Sequence, residues 1–397
     1  MNPCIEKLAK IAQKKERIIL GLMSGTSLDG LDIALCRIHL QGQQSELTLL
    51  KFLTIDYLPK FRDHVRAIFA KRNIDQQTLS GLNPYIAEVH ADLIHQALKL
   101  WKMEPEEIDL IASHGQTVYH APQSLTGDVT IPNSTLQLGD GDHLAVRTGI
   151  ITLSDFRQKH LAAGGEGAPL AAYGDYLLFS HEQQNRILLN IGGISNFTFL
   201  PALSIDMEAY ATDLGPGNTL MNQFMFASYG REMDLDAKVA KSGKPNQSLL
   251  NALLQDSFLE ANFPKTTGPE LFNLSYLEKA LAKINQPTLS PQDIMATLNT
   301  FSATVIIQGI KKATLGLDSF QIYLSGGGLH NPMLVQQIQQ AFSGKVFSFQ
   351  ELGVDPDAKE ACLFAILANE TIAGSPQNIQ RIKDSPAVCM GKISLPY

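Results

Sequence analysis

The chain has few cysteines and no arrangement of them that builds anything. Four occur in 397 residues, Cys4, Cys36, Cys362 and Cys389. They are far apart, form no C-x-x-C pair, and are accompanied by no H-E-x-x-H. A zinc site and a disulfide framework are therefore excluded. Cys36 and Cys362 lie in apolar runs and are expected as buried thiols, which fits a reducing cytoplasm. No apolar run approaches the roughly 18 residues of a membrane span. The amino terminus, MNPCIEKLAKIAQKKER, is charged and amphipathic and lacks a signal-peptide core; residues 1–16 read as an extension, either a short extra helix or a ragged end. Basic excess is also missing. Lys and Arg number 32 against 39 Asp and Glu, a net charge of −7, which argues against a general nucleic-acid binder. Neither a G-x-x-x-x-G-K-[ST] loop nor a G-x-G-x-x-G in strand–turn–helix context is present, so Walker ATPases and Rossmann dehydrogenases are disfavoured. A nucleotide would need a different cradle.

What the chain does have is glycine at turns. In IILGLMSGTSLDGLDIALCRI, Ile18 to Ile38, an apolar run ends at Met23, a small-residue turn follows, and a second apolar run begins after Asp29-Gly30. Two β-rich runs around a glycine turn predict a hairpin. Its turn holds Ser24, Gly25, Thr26 and Ser27, whose backbone N–H groups could approach an anion, and Asp29, a carboxylate able to hold Mg²⁺. Ordinary turn chemistry explains the same residues, so both readings stand at this point. A second strand–glycine–strand pattern, Ile187–Asn190 and Ser195–Leu200 around Gly192-Gly193, echoes the first in layout.

Elsewhere strands alternate with helices. Asn83-Pro84 reads as the start of an amphipathic helix reaching Trp101. A buried strand over Ile108–Ser113 ends in His114-Gly115-Gln116-Thr117. Ser290-Pro291 caps a long helix to about Ala313. The strand Phe320–Leu324 precedes Ser325-Gly326-Gly327-Gly328, Asn331-Pro332 caps another helix, and Val346–Phe349 is a strand. This is an α/β pattern. Length predicts about two domains, placed at 1–170 and 171–397, with 375–397 as a segment able to pack back on the first. A duplicated fold with a cleft between its halves is expected.

The segment Ala211-Thr212-Asp213-Leu214-Gly215-Pro216-Gly217-Asn218 is the sharpest candidate for chemistry. A carboxylate stands at a strand end before a turn stiffened by proline and opened by glycine. Asp213 in this setting suits a general base, with backbone N–H groups presented beside it; an Asx-turn or helix cap is the alternative.

Taken in order, these pieces, with Asp155-Phe156-Arg157 and Ala163-Gly164-Gly165-Glu166-Gly167-Ala168-Pro169-Leu170, make the chain resemble the anhydro-N-acetylmuramic acid kinases from about Ile18 onward. The resemblance implies two RNase H-like α/β domains of the actin/hexokinase-like ATPase fold around a central cleft. It implies a kinase that uses ATP and Mg²⁺ to phosphorylate O6 of 1,6-anhydro-N-acetylmuramic acid while water opens the 1,6-anhydro bridge, a step of cell-wall recycling. Asp213 then matches the catalytic carboxylate. Ser24, Gly25 and Thr26 match phosphate-hairpin positions and Asp29 the metal position. Gly192, Gly193, Gly215, Gly326, Gly327, Gly328 and Asn331 fall on the nucleotide side. His114, Gln116, Asp155, Arg157 and Glu360 are matched to the sugar and its lactyl carboxylate, for which the planar fork of Arg157 is suited. Partners are small molecules, an anhydrosugar and ATP, with no nucleic acid and no membrane, and a homodimer is the assembly to test. A kinase of a neutral 1,6-anhydrosugar such as levoglucosan, or a sugar sensor without chemistry, are the competing readings.

Overall fold

A computed structural model describes residues 1–284 and 288–397. The chain forms two units, one of Met1–Phe179 with Gly353–Tyr397, the other of Ser180–Leu352. In the first unit, β1 (Glu16–Ser24), β2 (Gly30–His39) and β3 (Glu46–Asp56) form an antiparallel meander. Then β4 (Leu110–Ala121) runs parallel to β1, β5 (Ser134–Leu138) pairs antiparallel with β4, and β6 (Thr152–Ser154) runs parallel to β4. The second unit repeats this. β7 (Arg186–Ile191), β8 (Ile194–Leu200) and β9 (Tyr210–Pro216) are an antiparallel meander; β10 (Gln321–Ser325) is parallel to β7, and β11 (Val346–Ser348) to β10. The first sheet reads β3-β2-β1-β4-β6 and the second β9-β8-β7-β10-β11. Identical order and direction in both units is the RNase H-like arrangement, duplicated. A last strand, β12 (Lys392–Ser394), adds antiparallel to β6.

Why β1 is central is legible in its burial. Side chains alternate across a strand. Leu20 and Leu22 enter a core with Ile86, Ala91 and Ile94 of the helix Gln76–Trp101. Gly21, on the other face, meets the helix Lys359–Ala373: a Cβ there would lie 1.9 Å from the Ala361 carbonyl oxygen. That helix packs on β1, β2 and β4. Its docking places all of 353–397, and not only 375–397, in the first unit, and because the helix Ala171–Phe179 packs on it in turn, with Gly174 against Leu363, the break falls after Phe179 rather than at 170/171. The second unit has its own core, where Ile187, Leu189, Phe197 and Phe199 pack with Leu298, Phe301 and Ile306 of the helix Pro291–Ala313.

Two local expectations change, and the amino-terminal extension takes the first of its two expected forms. The helix expected from Asn83 begins at Gln76, because the Asp75 side chain accepts from the Thr78 N–H and Oγ1 and caps it; Pro84 lies inside. Asn83 instead accepts from the Gly139 N–H at 2.9 Å. The strand expected to stop at Ser113 continues to Ala121, so His114 and Gln116 are strand residues and not a strand-end turn. Residues 3–13 form a helix, capped by Asn2. Among the described residues, no helix is long and apolar enough to cross a membrane, and all four cysteines are free, Cys36 and Cys362 buried as expected.

Candidate active site

The first hairpin places its turn between Ser24 and Gly30. The Gly25 carbonyl is drawn inward, accepting from the Leu28 N–H at 3.3 Å and from Gln116 Nε2 at 3.2 Å. Among the described residues, the N–H groups of Gly25, Thr26 and Ser27 find no protein acceptor. Thr26 and Ser27 are exposed, while Leu28 is buried and anchors the turn with φ +59°. Successive N–H groups left outward in this way form an anion-binding nest. Gly25 has room for a side chain: a Cβ there would stand 3.4 Å from its nearest neighbour, Ser27 Oγ. Packing therefore does not require glycine there, whereas a Cβ on Gly30 would collide with the Ile55 carbonyl at 2.6 Å. Asp29 is exposed, with Oδ1 accepting from Ser27 Oγ at 2.8 Å and the Gly30 N–H at 3.0 Å.

Two residues matched to the sugar are committed elsewhere. Gln116 is fully buried; it accepts from Ser24 Oγ and donates to the Gly25 and Thr117 carbonyls. It supports the hairpin. Arg157 donates through Nε to His114 Nε2 at 2.9 Å and through Nη1 to the Gly167 carbonyl at 3.0 Å, so its fork is already half engaged. His114 is buried, and burial with the Arg157 charge lowers its pKa to about 3. It is neutral and accepts at Nε2. Asp155 is bound by Lys392. His114, Asp155 and Lys392 line a pocket of about 620 Å³ with Asn83 and Asp140; Arg157 and Glu360 are not among its walls. Glu360 is solvent-exposed on the helix Lys359–Ala373, yet desolvation by the surrounding protein, opposed by Lys359 and assisted by Asp32, pushes its carboxyl above the usual range.

In the second unit Asp213 lies within β9, half-buried, opposite Asn196. Its Oδ2 accepts from the Thr267 N–H at 2.9 Å and its own N–H donates to the Lys265 carbonyl at 2.9 Å. It caps no helix; Asn218 holds that position for Thr219–Tyr229. Desolvation raises its pKa against the Thr267 hydrogen bond, and Glu270 adds to the rise. A more basic carboxylate is a better general base near neutrality. The loop Lys265–Thr267 that holds it carried no motif and was missed; a Lys-Thr-Thr-Gly-Pro run signals only a turn.

The expected N–H groups beside Asp213 are used internally. Those of Gly217 and Asn218 donate to the Gly193 and Gly192 carbonyls at 2.8 and 2.9 Å. A Cβ on Gly217 would sit 2.3 Å from the Gly192 oxygen, so glycine here permits the two turns to lock together. Gly215 is buried in β9 against Val305. Gly326 and Gly328 press on Asn190 and Ile191, while Gly193 and Gly327 are exposed. Asn331 caps the helix Pro332–Ala341, accepting from the Leu334 N–H and from Asn299.

Duplicated RNase H-like sheets, each opening with a glycine-turn hairpin, define the class of actin/hexokinase-like ATPases. Within that class, a family model described as anhydro-N-acetylmuramic acid kinase matches residues 17–394. Curated relatives of that name include one from Pseudoalteromonas atlantica, 48% identical over 100% of both chains. Another, from Pseudoalteromonas translucida, is 47% identical over 99% of both. A third, from Caldanaerobacter subterraneus subsp. tengcongensis, is 35% identical over 98% of this chain and 100% of its own. The chain belongs to the anhydro-N-acetylmuramic acid kinase family.

Proposed function

We propose that the protein uses ATP to phosphorylate O6 of 1,6-anhydro-N-acetylmuramic acid while water opens the 1,6-anhydro bridge, giving N-acetylmuramic acid 6-phosphate. The observation that carries this reading is the end-to-end match to enzymes of that name. Asp213 takes the proton from the water that attacks C1. The C1–O6 bond breaks, O6 attacks the γ-phosphorus, and ADP leaves; the water oxygen stays on C1. Positioning and charge stabilisation dominate the phosphoryl part. The outward N–H groups of Gly25, Thr26 and Ser27 take phosphate oxygens in the first unit. In the second, Gly192-Gly193 and Gly326–Gly328 are the nucleotide-side loops.

Asp29 suits Mg²⁺. It is exposed and only its Oδ1 is engaged, and Mg²⁺ asks for one or two carboxylates beside phosphates and water. When bound, the ion neutralises phosphate charge. The sugar faces His114 and the Asp155–Lys392 pair, with Arg157 contributing the part of its fork that His114 and Gly167 leave over. The reaction belongs in the cytoplasm, where ATP is supplied.

A coupled ADP-release assay over a panel of 1,6-anhydrosugars tests this. Turnover on anhydro-N-acetylmuramic acid well above that on levoglucosan supports it; preference for the neutral sugar, or none for either, overturns it.

A further inference from the structure

Four buried polar side chains sit behind the phosphate hairpin, drawn from four elements. His90 is on the helix Gln76–Trp101, Tyr57 follows β3, Ser24 ends β1 and Gln116 is on β4. Each is at most 3% exposed. His90 Nε2 is 2.9 Å from Tyr57 Oη, which is 2.7 Å from Ser24 Oγ, which bonds to Gln116 Oε1.

The proton direction along this chain is forced. Gln116 Nε2 must face the Gly25 and Thr117 carbonyls, since only a donor satisfies both. Its Oε1 therefore faces Ser24, and the single Ser24 proton is spent on it. Tyr57 must then donate to Ser24, and its own proton is spent. His90 must donate to Tyr57 through Nε2–H. That leaves His90 Nδ1 as a bare lone pair, and among the described residues Nδ1 indeed has no hydrogen-bond partner. Burial also lowers the His90 pKa to about 4, so the ring is neutral with one proton to place. Tyr57 grips the hairpin a second time, its backbone N–H donating to the Asp29 carbonyl at 2.9 Å.

We propose that His90, Tyr57 and Gln116 are positioning residues that fix both ends of the phosphate hairpin through a one-way hydrogen-bond chain, and that Ser24 is a link in this chain and not a phosphate ligand. The chain holds the Gly25 carbonyl inward, and because C=O and N–H point opposite ways in a planar trans peptide, this turns the Thr26 N–H outward toward phosphate. The inference rests on reading the hairpin as the ATP phosphate cradle.

Steady-state kinetics with separate KM values for ATP and sugar test it, with circular dichroism melts on each variant. Tyr57→Phe strands a buried donor on His90 and leaves Ser24 without its donor. His90→Leu removes the first donor. Each is expected to raise the KM for ATP about tenfold, the scale of an unsatisfied buried polar group, with the sugar KM within about twofold. His90→Gln keeps an N–H near the Nε2 position and should hold the ATP KM close to wild type. Gln116→Glu keeps the acceptor for Ser24 but loses the donor to Gly25, and should behave like Tyr57→Phe. Gly25→Val separates the premises. If it leaves the ATP KM unchanged, the cradle reading fails and the inference with it. If Gly25→Val raises the ATP KM but His90→Leu and His90→Gln behave alike, or both KM values rise together, the positioning chain is wrong while the cradle stands. The His90 pair decides the matter even where Tyr57→Phe does not fold.

Discussion

At the residue scale, the proposed general base Asp213 is the position whose surroundings can be tested most directly. Because desolvation raises its pKa, the fold favours the protonated carboxyl. Stability from this group is therefore full below the unfolded-state pKa and is lost as pH rises through the folded-state value. At neutral pH ionised Asp213 opposes folding, and Asn can still accept from Thr267. Asp213→Asn should melt no lower than wild type at pH 7 while kcat falls at least about a hundredfold, the low end for a positioned general base. The acid limb of the kcat/KM profile should lie above the usual carboxylate range and vanish in that variant. A near-normal kcat would remove the assignment. The residue scale also shows what a sequence can reveal. Asp213 stood out by its Gly-Pro-Gly neighbours. His90, Tyr57 and the loop carrying Thr267 did not, because their partners come from distant segments and no local spacing marks them. Gly25→Val belongs here too: with room for its side chain, the variant should fold normally and lose ATP binding by calorimetry.

At the scale of elements, the strands around glycine turns and the helices opened by Ser290-Pro291 and Asn331-Pro332 were legible, since caps and periodicity are local signals. The helix at Gln76 was misread because Pro84 resembles a first-turn proline, while the true cap, Asp75, is followed by polar residues without an apolar rhythm. The extension of β4 through His114-Gly115-Gln116 was hidden because the pairing that sustains it, Gln116 with Leu138 and with Ser24, is long-range. One contact tests the element packing. Gly21→Ala would drive a methyl into the Ala361 carbonyl and push the helix Lys359–Ala373 off β1. A loss of about 1–3 kcal/mol or more is expected, read by urea unfolding. An unchanged midpoint would mean that the helix does not dock there.

For the whole molecule, the duplication was visible as two glycine hairpins, and 375–397 was read as able to pack back on the first unit, but the inclusion of 353–374 was not, because nothing in the composition of that segment names the sheet that receives it. That unit buries His90, His114 and His160, their pKa values lowered to about 4, 3 and 4 by burial. All three are neutral in the fold, so their contribution is complete above pH about 6.5 and is lost as pH falls toward those values, by roughly 1.4 kcal/mol per pH unit for each. Unfolding followed between pH 7 and 4.5 should show stability dropping steeply, and substituting His160 by Gln should flatten the drop; a flat profile in the wild type would contradict their neutral burial. The central claim, that one turnover joins bridge hydrolysis to phosphoryl transfer, is tested most directly by running the reaction in ¹⁸O-water and reading the product by mass spectrometry and ³¹P NMR. The account predicts a 6-phosphate carrying one ¹⁸O at C1 and none in the phosphoryl group. Label in the phosphate, or a phosphorylated sugar with its anhydro bridge intact, would contradict it.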